Sequence, residues 1–227
     1  MQKIRDHWQL ALLMILIFAI WQTPIATPLK ILVVFFHELA HALMTVATGG
    51  EVISLSVSPD QGGMVLSRGG NRFLTLSAGY LGSLAIGLTL LLAALRTNVD
   101  KYVLMACGVC LIIVAALYVR DSFAFGFTAM TGVIMLAAGW FLGHDINDMI
   151  LRVIGLSSMF YVPYDILSDT IIRSGARSDA RMLAEEFGGT TVLWGGLWFI
   201  LSLAAIFYAL KIILRQPSNL HWPKKST

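Results

Sequence analysis

Apolar residues run nearly unbroken through seven stretches, residues 8–22, 29–48, 72–95, 101–119, 122–142, 147–172 and 190–214. Each is close to the roughly 20 residues that a helix needs to cross a hydrocarbon core about 30 Å thick. A helix in lipid can be apolar all round, so length rather than 3.6-residue periodicity defines these elements. The pattern predicts an all-α fold: a polytopic membrane helix bundle of about seven transmembrane helices, forming one integral membrane domain over residues 1–227.

Two connections are long enough to have structure of their own. Residues 49–71, GGEVISLSVSPDQGGMVLSRGGN, alternate apolar and polar side chains through Val52, Ile53, Leu55 and Val57, turn at PDQGG and resume with Met64 to Leu66. This predicts a small β-hairpin after the second span. Residues 173–189, RSGARSDARMLAEEFGG, predict a surface loop with a short helix. Ser178 caps its first turn, Ala180, Leu183, Ala184 and Phe187 line one face, and Gly188 and Gly189 end it. Both loops fall on the same side of the membrane.

Composition agrees with the pattern. Of the residues, 57% are hydrophobic and 13% charged, the balance of a multi-pass protein of a cell membrane. Lys3 and Arg5 precede the first span and no small-x-small cleavage site follows it, so it is expected to remain as a signal anchor. The 16 Lys and Arg residues divide evenly between the two sides, which leaves orientation open. A net charge of +3, evenly spread, argues against a nucleic-acid partner. The tail LRQPSNLHWPKK can instead touch anionic lipid headgroups of the bilayer. Cys107 and Cys110 lie one turn apart in the fourth span with no second pair, as packing residues do.

The second span breaks its own pattern. Within PLKILVVFFHELAHALMTVATGG it carries His37, Glu38 and His41. A charge at the centre of a membrane helix costs on the order of 3 kcal/mol, and such groups usually face the bundle interior or water and mark function. The arrangement is H-E-x-x-H, whose histidines at i and i+4 share a helix face and can bind one zinc ion. Glu38 beside them suits a general base for a metal-activated water.

Catalytic zinc needs a third protein ligand. Asp145 and Asp148 lie at the opposite membrane face. Asp165 and Asp169, near the other end of the sixth span, fall at depths comparable to the histidines. Pro163 loosens the helix just ahead of Asp165. Asp165 is therefore expected as the third ligand, with Asp169, one turn on, as the alternative.

With FFHELAHAL and the TGG after it, SAGYLGS in the third span, YDILSD in the sixth, and SDARMLA and VLWGGLW near the end, the chain resembles the site-2-protease-like intramembrane zinc metallopeptidases, family M50, and within it the M50B-like group. The resemblance implies zinc on His37, His41 and a distant Asp, matched at Asp165 through YDI. It also implies that Glu38 activates water and that the substrate is a membrane-spanning or membrane-associated protein. Ile166 stands where better-studied members carry Gly after that Asp, and no PDZ-like segment is present. The expectation is an intramembrane zinc endopeptidase. The alternative is a non-hydrolytic scaffold or chaperone that keeps the bundle.

Overall fold

In the computed structural model, which describes residues 7–172 and 177–215, eight helices and a two-stranded sheet follow one another. They are α1 (Trp8–Ile20), α2 (Thr27–Ala47), β1 (Glu51–Val57), β2 (Gly63–Arg68), α3 (Arg72–Arg96), α4 (Asp100–Tyr118), α5 (Ser122–Phe141), α6 (His144–Leu167), α7 (Asp179–Phe187) and α8 (Thr191–Ile213). Lys3, Arg5 and nearly all of the basic tail lie outside the described residues.

Six helices are long and apolar enough to cross a membrane. These are α2 with the 3₁₀ turn ahead of it, α3, α4, α5, α6 with the π-helical turn Ser168–Ile172 that continues it, and α8. The first of the seven expected spans differs from the others. Helix α1 has 13 residues and rises only about 20 Å. It ends at Ile20, and three residues on Thr23 takes up extended backbone, as a residue ahead of proline does.

Helix α3 is central, packed on α2 along one side and α6 along the other, while α4 and α5 form a closely packed pair. Glycines permit these approaches. A Cβ on Gly155 of α6 would lie 2.6 Å from Leu91 Cβ and 2.7 Å from the Gly87 carbonyl oxygen of α3. One on Gly108 of α4 would lie 2.6 Å from the Gly132 carbonyl oxygen of α5. Lipid is as apolar as leucine, so close packing rather than burial from water holds such helices together. Cys107 and Cys110 are free thiols, half-buried in α4.

Gly49, at φ +84°, turns the chain out of α2, a conformation that glycine adopts without a Cβ clash. The antiparallel hairpin follows with Leu55 opposite Val65 and Val57 opposite Gly63. A bulge interrupts its register between Val52 and Ser54, and it sends Ile53 outward, 42% exposed, while Val52, Leu55 and Val57 are buried. Both strands pack on α2, and Ser56 Oγ donates to Asp121 Oδ2 at 2.6 Å, which ties β1 to the start of α5.

Helix α7 forms for the reasons its sequence suggests. Ser178 Oγ accepts the Arg181 amide at 3.3 Å, Ala180 and Leu183 are fully buried, and Gly188 ends the helix at φ +85°. Its packing against α3 and α8 brings its first turn over His37 and His41 of α2.

Candidate metal centre

His37 and His41 are one turn apart on α2, and their Nε2 atoms face each other at 2.9 Å. The third group at this point is Asp179, the first residue of α7. Its Oδ2 lies 2.9 Å from His37 Nε2 and 3.1 Å from His41 Nε2. Burial pushes the Asp179 carboxyl up, but the charge of His41 and hydrogen bonding to both imidazoles outweigh this and hold it well below the usual aspartate range.

The expected third ligand, Asp165, is not in this group, and neither is Asp169. Both line the adjoining cavity, but among the described residues the candidate metal-holding cluster here is His37, His41 and Asp179. Asp169 is engaged by Tyr80, whose hydroxyl donates to its Oδ2 at 2.5 Å. Depth along the sixth span places Asp165 and Asp169 at the cavity, while the carboxylate that meets the imidazoles comes from a surface helix. The clue in the sequence is that Asp179 shares a helix face with Leu183, i and i+4, so it lies on the buried side of α7.

The histidine rings are held from behind. His41 Nδ1 is 2.6 Å from the Thr75 carbonyl oxygen. A carbonyl only accepts, so Nδ1 carries a proton, and once metal binding displaces the proton on Nε2 the ring presents that lone pair to the cluster. The Tyr80 ring meets His37 edge-on, with centroids 4.6 Å apart. Gly79 of α3 leaves room for both rings, since a Cβ there would run into Nε2 of His37 and His41.

Glu38 is 6% exposed, and its carboxylate rests against Gly63 at the start of β2, where a Cβ would overlap it. It opens with the two histidines onto a cavity of about 520 Å³. Residues 61–67 of the hairpin form one wall, and Asp165, Asp169 and Tyr80 lie opposite. The hairpin and α7 thus border one site, as their placement on one side of the membrane predicts.

A family model described as Peptidase M50B-like matches residues 10–209, most of the chain. The chain belongs to the Peptidase M50B-like family. No curated protein and no solved structure matches it significantly. The match runs from within α1 through most of α8, so the HELAH turn, the hairpin and Asp179 of this M50B-like chain all fall within it.

The donor set suits the zinc that an M50B-like peptidase implies. Two imidazole nitrogens and one carboxylate oxygen are a combination found in catalytic zinc sites. Ligand atoms on a tetrahedral zinc at 2.0–2.1 Å are roughly 3.3 Å apart, within a few tenths of an ångström of the separations here. The hydrogen bond behind His41 is the support that zinc-ligating histidines usually have. Without a cation, protons on the imidazoles hold the Asp179 carboxylate in its place.

Proposed function

We propose that this M50B-like membrane protein is an intramembrane zinc endopeptidase in which His37, His41 and Asp179 hold the metal and Glu38 is the general base. The reading rests on one observation: three ligand atoms converge within 4.8 Å of one another beside a buried glutamate that opens onto the same cavity. Bound zinc supplies Lewis acidity and lowers the pKa of a coordinated water to roughly 7. Glu38 accepts the proton of the attacking water at its carboxylate and returns it to the leaving amine. Gly63 leaves room for that carboxylate, and the Thr75 carbonyl holds the His41 ring in the tautomer that ligation requires. Strand β2 lines the cavity and offers an outer edge to which an extended peptide can add.

The substrate on this reading is a membrane-spanning or membrane-associated protein, a segment of which becomes extended beside β2, and the setting is a cell membrane. A scaffold that only binds other spans has no use for a buried carboxylate beside two metal-ligating histidines. Glu38→Gln keeps the shape of the side chain but cannot accept a proton. Purified variant should retain its zinc and bind substrate, while cleavage falls by at least about 100-fold. Undiminished biological activity in Glu38→Gln would leave the scaffold reading in possession, and undiminished cleavage would remove Glu38 as the base.

A further inference from the structure

At the end of the bundle away from the hairpin, α4 and α6 begin side by side. Asp100 is the first residue of α4, and His144 and Asp148 occupy the first turns of α6. His144 Nδ1 is 2.8 Å from Asp100 Oδ2, and one ligand atom from each of the three residues lies within 4.8 Å of the others. We propose that this cluster is a second metal site, taking a divalent cation of the zinc or manganese class and clamping the starts of α4 and α6 together.

The spacing on α6 repeats that of His37 and His41: residues at i and i+4 lie on one face. The two sites are far apart. From Gly79, against the first centre, α3 continues to Arg96, a rise of roughly 25 Å, before the chain turns to Asp100. A cation here therefore binds independently of the first.

Burial and charge argue for it. The side chains of Asp100 and Asp148 are both 0% exposed, and ionised carboxylates in such places are held by counter-charges or metals. Arg152, also fully buried, pairs with Asp148, its Nη2 donating to Oδ2 at 3.1 Å. The charge of Arg152 also reaches Asp100. Both Asp100 oxygens are buried with no hydrogen-bond partner among the described residues, while the His144 ring lies against one of them and an Asp148 oxygen lies close by. That ring is 41% exposed, so the cluster has a path to water by which an ion can enter. Two carboxylate oxygens and one imidazole nitrogen suit zinc or manganese better than calcium or magnesium, which prefer all-oxygen shells.

The test uses full-length protein in detergent, equilibrated with zinc chloride and then measured for bound metal by mass spectrometry. Wild type should hold about one zinc per chain more than His144→Ala, a substitution at a half-exposed side chain that removes one of three ligands. The double variant His37→Ala/His41→Ala should still bind zinc and show a rise in melting temperature on adding it, and both effects should vanish when His144→Ala is added. Should His144→Ala fail to insert, Asp100→Asn and the double variant carry the same comparison. Equal zinc in wild type and His144→Ala, or a double variant that neither binds zinc nor is stabilised by it, overturns the site and leaves an ion pair between His144 and Asp100.

Discussion

Asp179 and Asp165 are both aspartates beside the same cavity, but they are not equivalent. Asp179 Oδ2 touches both imidazoles, so its loss removes a ligand atom, whereas Asp165 supplies none to the cluster. Asp179→Asn should strip zinc from the first centre or weaken its binding strongly, and Asp165→Asn should leave it bound, as metal analysis of the two purified variants beside wild type will show. Retained zinc in Asp179→Asn with loss in Asp165→Asn would return the third ligand to the sixth span. The glycines at this scale are part of the chemistry. Gly79 makes room for the rings and Gly63 for the base, so either position tolerates a side chain only if the site moves.

The hairpin is the element whose role is most open to direct measurement. Backbone amides along a strand point alternately to either side. Of Val65 and Leu66 in β2, one amide therefore faces β1 and the other faces the free edge over the cavity. Proline at the free-edge position deletes a donor to a bound peptide while sparing the hairpin. Of the two variants Val65→Pro and Leu66→Pro, at least one should slow cleavage several-fold with zinc content unchanged. Full cleavage in both would make the hairpin a lid rather than a substrate platform. Helix α7 is the other element that builds the site, and it does so through its first turn, capped by Ser178 and anchored by the buried Ala180 and Leu183.

Across the whole molecule, the bundle depends on glycine contacts between helices. A valine at Gly155 would press on Leu91 and the Gly87 carbonyl, and overpacking of this kind costs about 1–3 kcal/mol. Gly155→Val should melt well below wild type in detergent, whereas Gly126→Val, at a position with nothing within 4 Å, should melt like wild type. Matching melting temperatures for the two would mean that α3 and α6 do not meet as described. Much of this architecture is legible in the chain itself, because its causes are local. Six of the spans follow from the length of apolar runs, the hairpin from alternation around PDQGG, and α7 from its cap and its glycine stop. The pairing of His37 with His41 follows from helix geometry alone. Among the described residues the first apolar run forms a helix of 13 residues, Trp8–Ile20. What only the tertiary structure decided is which carboxylate completes each cluster. Asp179 is 142 residues from His37, and Asp100 meets His144 across two spans. No local pattern encodes those distances: they follow from how α7 folds back over α2 and how α4 and α6 align at the far end of the bundle.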